Sequence, residues 1–217
     1  YFELSDTDVT LEPTDLLMIL SPQRDFMDTE LKTLTDFAAA GGSMFITCDY
    51  SDNVENMPNY QSLLRSYGFQ PLNGIVVAST EESGTYYDEY PILLLPYMQR
   101  SAATLQLVEG NSDTLLLAGS RAFAQPEEGD NNLTTQVVLS SGYKAYLRDL
   151  SDGSDSIAQQ DDDQVGPFAL ALLSQRVTTA GNVSKAFVLG CSTVLTDSQV
   201  YVMTDAQEFI LTLCTYL

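Results

Sequence analysis

Histidine and tryptophan are both missing from the 217 residues. The first absence matters more, because without imidazole this chain acting alone cannot build a Cys-His or Ser-His-Asp hydrolase, a histidine general base or a histidine metal site. Basic residues are scarce as well: nine Lys and Arg stand against thirty Asp and Glu, a formal charge of -21. Nucleic acid and anionic lipid surfaces need concentrated cation to neutralise phosphate, so neither is expected as a partner. Three cysteines allow one intramolecular disulfide at most, which rules out a disulfide-built scaffold. Cys48 and Cys191 follow apolar runs and Cys214 lies inside an amphipathic one, so all three are expected as buried small hydrophobes. No apolar run approaches the roughly eighteen residues of a membrane span, and Tyr1 does not begin a signal peptide. A chain opening on Tyr rather than Met reads as a piece of something longer.

What is present is enough apolar sequence, 44%, to bury a full core. "TDLLMILSP", 14–22, reads as a buried strand. "MDTELKTLTDFAAAGG" then shifts to helical spacing, with Leu31, Leu34, Phe37 and Ala38 on one face, Asp28 as the N-cap and Gly41 as the stop. "SMFITCDYS" returns to strand, completing a βαβ unit. The rhythm repeats through "MPNYQSLLRSYG", with Pro58 near the helix start, into "GIVVAS", 74–79, expected as a third parallel strand. From there the pattern loosens. "EESGTYYDEY", 81–90, reads as an exposed loop, "PILLLPYM" as a short strand, "DTLLLAGS" as another, and "QPEEGDNN", 125–132, as an acidic loop. "LTTQVVLSS" and "YKAYLRDL", joined by Ser-Gly, suggest a mutually antiparallel pair. The tract 149–164, with six Asp, is the candidate for a mobile excursion. "GPFALALLSQRV" fits helix or strand, although the turn "TTAGN" before "SKAFVLGCS" favours a strand pair. "DAQEFILTLCTYL" places Phe209, Ile210, Leu213 and Leu217 on one helical face. The reading is one α/β domain over 1–217: an open, mostly parallel sheet with helices on both faces, an antiparallel edge extension, and irregular insertions near 80–112 and 125–165.

The corner Gly190-Cys191-Ser192 is where an α/β enzyme would place a nucleophile, but it has no histidine to activate it. Lys185 stands at the other end of the same strand, about 20 Å away at strand rise, so tight packing is the expected role of the corner. Carboxylates remain available for acid–base work or a hard cation. Asp49 and Asp52 follow the second strand, and Asp25 and Asp28 the first, at the edge where α/β ligand sites form; capping and solvation account for such acids equally well. The Asp tract lacks an EF-hand pattern and supports at most weak, opportunistic Ca²⁺ binding, "AAAGGS" lacks a dinucleotide fingerprint, and no Walker A motif occurs, so no cofactor and no dedicated metal site are called for. Arg24 beside Asp25, ahead of a helix N-terminus, can present donors to an anion or order the turn as a pair. Tyr86, Tyr87, Tyr90 and Tyr97 supply rigid contact area suited to an interface, or to packing at a sheet edge.

The stretches "TDLLMILSPQRDFMDTELKTLTDFAAAGGSMFITCDY", "NMPNYQSLLRSYGFQPLNGIVV", "GPFALALLSQRV" and "SKAFVLGCSTVLTDS" resemble, in order and spacing, segments of the soluble domain of GldG-type auxiliary proteins of ABC transport systems. The resemblance implies a flavodoxin-like or glutamine-amidotransferase-like sheet without catalysis. It also implies placement on the extracytoplasmic face of the cell membrane, as a soluble domain of a membrane-anchored protein. The Pro22-Gln23-Arg24-Asp25 turn is retained, so Arg24 and Asp25 carry over as structural or contact residues. Where the family places an acid after the late glycine, this chain has Cys191, and Val194 stands at a later aromatic position. The leading expectation is a non-catalytic accessory or binding domain. Its partner would be a membrane permease subunit or the remainder of its own anchored chain, with a small-molecule or polymer ligand possible. The alternatives are a carboxylate-dependent hydrolase acting on a carbohydrate or acyl substrate, and a purely structural spacer.

Overall fold

In the computed structural model, which describes residues 10–51, 53–125, 132–150, 156–196 and 204–217, the opening rhythm is present as read. β1 (Leu16–Leu20), α1 (Asp28–Ala40) and β2 (Ser43–Thr47) follow one another, and β1 pairs with β2 in parallel. α1 stops where glycine allows it: Gly41 takes a left-handed φ of 105°, and its amide returns to the Ala38 carbonyl at 3.0 Å. α1 starts at Asp28, but the Asp28 carboxylate does not cap it. The Met27 amide donates to Glu30 Oε2 at 2.8 Å, the return half of a capping box, while Asp28 accepts from Asn59 Nδ2.

α2 (Pro58–Ser66) begins on proline, and the carboxylate that caps it comes from the other end of the βαβ unit. Asp25 accepts the Asn59 amide at 3.1 Å and the Tyr60 amide at 2.9 Å. Phe26 and Tyr60 meet edge to face with centroids 5.8 Å apart, beside this cap. Asp25→Ala is expected to cost about 1 kcal/mol, and up to about 2. Urea unfolding measures the loss, and faster amide exchange at Asn59 and Tyr60 locates it.

The third parallel strand is not the segment 74–79. β3 (Ile75–Val77) is only three residues long and pairs antiparallel with β9 (Tyr146–Arg148), which also carries β10 (Gln164–Val165) in a small separate sheet. The place beside β2 belongs to β12 (Val183–Leu189), in parallel register from Ala186↔Met44 to Leu189↔Thr47. The difference is one of length: β12 supplies seven strand residues to run beside the five of β2, whereas β3 has three, though Ile75, Val76 and Val77 are buried as fully. Residues 186–189 of β12 are fully enclosed, and alternate side chains enter opposite layers.

β11 (Ala169–Val177) pairs antiparallel with β12, resolving the ambiguous 166–177 run as strand. β8 (Leu133–Ser140) and β6 (Tyr97–Met98) extend that half antiparallel, giving the order β1-β2-β12-β11-β8-β6. Two of the five pairings are parallel, so the sheet is mixed rather than mostly parallel. β8 and β9 do not pair with each other. The Ser-Gly joint passes the chain from one sheet to another instead of making a hairpin. The 125–165 stretch, expected as an irregular insertion, therefore supplies an internal strand of the main sheet. β4 (Tyr86–Tyr87), β5 (Tyr90–Leu94) and β7 (Leu117–Ala118) form the third sheet, so the loop expected at 81–90 is partly a hairpin. Residues 126–131 of the acidic loop and 151–155 of the Asp tract lie outside the described residues, as does Asp52.

Helices cover both faces of the main sheet. Leu34 and Phe37 of α1 and Tyr60, Leu63 and Leu64 of α2 pack with Met44, Ile46 and Val188. On the opposite face Phe45, Phe187 and Leu189 meet α3 (Leu105–Gly110), α4 (Thr193–Thr196) and α5 (Ala206–Tyr216) through Leu107, Val194, Phe209 and Leu213. Phe187 lies 5.0 Å from Phe45 and 6.0 Å from Phe209 by ring centroids, joining strand to strand and strand to helix. Cys48 and Cys191 are buried as expected, and Cys214 is half-buried.

Candidate functional site

The carboxyl ends of β2 and β12 lie side by side, which brings Asp49 to Ser192. The Ser192 amide donates to Asp49 Oδ1 and the Ser192 hydroxyl to Asp49 Oδ2, both at 2.6 Å. Sequence placed both residues on this rim without pairing them. The pairing follows from β12 standing next to β2, which no local signal announced. A serine against a carboxylate lacks the imidazole that carries the proton in a triad, where the acid only orients the base. Lys185 supplies no substitute: its Nζ donates to the Tyr216 carbonyl and sits 4.2 Å from the centre of that ring.

Beneath this pair lies Arg121, which the sequence reading did not single out. Its side chain is 1% exposed. Nε donates to the Asp49 carbonyl, Nη1 to that of Leu72 and Nη2 to that of Tyr50, at 3.0, 3.0 and 3.1 Å. Glu55 Oε1 lies 3.5 Å from Nη1. The guanidinium thus ties the loop after β2 to the segment before β3. Gly190 passes against the Arg121 backbone, with the Arg121 amide donating to the Gly190 carbonyl at 2.8 Å. A Cβ on Gly190 would sit 2.1 Å from the Arg121 carbonyl oxygen. Cys191 is 1% exposed, and its sulfur lies 2.6 Å from Thr193 Oγ1 and 3.2 Å from the Ala118 carbonyl. Burial pushes the Cys191 thiol up, against smaller downward pulls from its hydrogen bonds, so the nucleophilic thiolate is disfavoured.

Arg24 and Asp25 are both brought into the turn between β1 and α1, where Arg24 Nη1 donates to the Asp25 carbonyl at 3.0 Å. Arg24 closes its fork on Glu30, with Nη1 to Oε2 and Nη2 to Oε1 both at 2.8 Å. The Glu30 side chain is 2% exposed and that of Arg24 62%. Asp25 occupies the α2 amides that an anion would otherwise meet. The Arg24 hydrogen bond holds the Glu30 carboxyl below its ordinary 4.5, outweighing burial, with the Met27 amide adding to the pull. A carboxyl lowered on folding stabilises the fold fully above its unfolded value, and that contribution disappears as pH falls through the folded value. Wild-type stability should therefore exceed that of Glu30→Gln above pH 4.5 and converge towards it in more acid solution. Urea midpoints of the two proteins across that range test this; a gap independent of pH would contradict it.

The tyrosines separate. Tyr86 is half-buried against the core, Tyr87 and Tyr90 are exposed on the β4–β5 hairpin, and Tyr97 stands on β6 at the edge of the main sheet. Beside Tyr97 a polar groove of about 670 Å³ opens, with Gln99, Arg100, Gln136 and Tyr143 among its walls. Its lining comes from four separated stretches of chain, so sequence periodicity carried no sign of it. Among the described residues no group of three or more His, Cys, Asp or Glu is arranged to hold a metal ion. Nor is any described helix long and apolar enough to cross a membrane.

No family model matches the chain, and no curated protein matches it. Among solved structures it is similar to one described as the mmIFT52 N-terminal domain, at 13% identity with a TM-score of 0.63, over 93% of this chain and 75% of that one. At that identity the likeness concerns the fold alone: a mixed sheet with helices on both faces.

Proposed function

We propose that this chain is a non-catalytic binding domain, serving as the extracytoplasmic accessory part of an ABC-type transport system. The observation that carries the non-catalytic reading is the closure of the strand rim on itself. Both oxygens of Asp49 are engaged by Ser192, Arg121 is spent on three backbone carbonyls, and Cys191 is buried beside Thr193. Catalysis needs groups held ready for a substrate atom, whereas these hold one another. The transport role rests on the ordered motifs shared with GldG-type auxiliary domains, the Pro22-Gln23-Arg24-Asp25 turn among them. In this structure that turn joins the starts of α1 and α2, a structural task consistent with retention in a scaffold.

The test is isolation of the full-length protein from its native membrane. Co-isolation with a permease subunit is the expected result; a protein recovered free of membrane and partners would overturn the reading. The hydrolase alternative would draw on the Asp49–Ser192 contact. Hydrolysis of an acyl or glycosyl substrate by the wild type, abolished in Ser192→Ala, would establish that alternative instead.

A further inference from the structure

β8 is eight residues long but has only a partial neighbour on its outer side. Tyr97 and Met98 pair with Ser140 and Leu139, and the Gln99 amide donates to the Val138 carbonyl at 2.8 Å. The chain then leaves the sheet. Among the described residues no strand lies along the outer side of 133–137, although β11 pairs with that stretch on the inner side, from Arg176↔Leu133 to Leu172↔Val137. An open edge presents unpaired backbone donors and acceptors at every second residue, and natural sheets guard such edges with Lys, Pro, bulges or covering loops. Here the residues are Leu133, Thr134, Thr135, Gln136 and Val137: uncharged, free of proline and suited to strand. The register shift in β8 falls nearer Leu139, on the half that β6 already covers.

The groove opens where β6 departs. Gln136 and Val137 line it together with Gln99 and Arg100, and the rings of Tyr97 and Tyr143, 44% and 70% exposed, stand beside it. Among the described residues its lining includes no Asp or Glu, and the cation there, Arg100, is paired with Glu109 at 2.6 Å. A wall of amides, hydroxyls and phenol rings next to an open backbone ladder offers an uncharged occupant both main-chain hydrogen bonds and side-chain contacts.

We propose that the open half of the β8 edge takes up an extended, uncharged peptide segment as an added antiparallel strand, continuing the line of β6 along the groove. Backbone bonds to 133–137 supply the affinity, and alternate side chains of the guest meet the groove. This rests on the reading of the chain as a binding domain and names the class of its partner.

The experiment is residue-resolved amide exchange on the whole chain, alone and with a capped hexapeptide of alternating Thr and Val at millimolar concentration. In the free protein, alternate amides within 133–137 should exchange as open groups, and saturating peptide should slow them roughly 10-fold or more. The same hexapeptide N-methylated throughout keeps its side chains but loses every backbone donor, and it should give no protection. The proposal is overturned if those amides are already protected in the free chain, if the peptide protects nothing or protects another edge, or if the N-methylated form works equally well. It is equally overturned if a neutral oligosaccharide, and not the peptide, perturbs Tyr97 and Tyr143 while leaving the amides unchanged. Because the measurement uses the isolated chain, its failure leaves co-isolation with a permease standing, and loss of that co-isolation leaves a positive peptide result standing.

Discussion

Arg121→Met is expected to lower the unfolding free energy by about 3–5 kcal/mol. Methionine replaces most of the buried stem, so the loss is that of the guanidinium. Three carbonyls, those of Asp49, Tyr50 and Leu72, lose their donors at once at a site 1% open to water. A buried acceptor left without a partner costs about 1–3 kcal/mol, and Glu55, half-exposed and 3.5 Å away, recovers only its own hydration. Lysine is no remedy, because a point ammonium on a flexible stem does not reproduce the planar fork that spans three acceptors. Urea unfolding of wild type, Arg121→Met and Arg121→Lys measures the effect, with both variants falling well below wild type. A loss under about 1 kcal/mol in the Met variant would mean that water reaches these carbonyls and the rim is not closed.

Gly190→Ala should destabilise by about 3 kcal/mol. The reason is steric, not conformational. The new methyl would lie 2.1 Å from the Arg121 carbonyl oxygen and 2.8 Å from Ser120 Oγ. No rotamer relieves the first clash, since both partners are backbone, and the two segments are fixed to each other by the Arg121 amide on the Gly190 carbonyl. The Gly190 amide is also committed, donating to the Leu170 carbonyl at 2.9 Å. Urea unfolding of wild type and Gly190→Ala measures the loss, and a loss under about 1 kcal/mol would mean that the two backbone segments move apart at little cost. The glycine ahead of Cys191 and Ser192 thus has a packing reason, which removes the strongest local hint of a nucleophile turn.

The first βαβ unit was legible because each of its signals is local: apolar runs of strand length, one helical face, and a glycine that ends α1. The position of β12 was not legible. Its sequence reads correctly as a strand, but which strand it joins is decided by competition for a doubly buried slot, and that competition spans the chain. The same limit hid Asp49–Ser192 and the buried Arg121, whose partners come from segments far away in sequence. Asp25 was correctly placed near a helix N-terminus, yet the helix it caps is α2 and not the neighbouring α1, as proline at Pro58 left two amides for a remote carboxylate to satisfy. Among the tyrosines, type and exposure were partly legible, while their separation onto different sheets was not.

The central position of β12 bears on how this chain reaches its folded state. Ser184 donates its hydroxyl to the Gly42 carbonyl across 142 residues, and β2 has its second neighbour only when that late strand arrives. During synthesis the early βαβ unit must wait with β2 half paired, since loop closure over such a span gains nothing until residues 183–189 emerge. A nascent chain cut before β12 would leave the apolar flank of β2 bare, an invitation to aggregation or to a holdase chaperone that the finished molecule no longer extends.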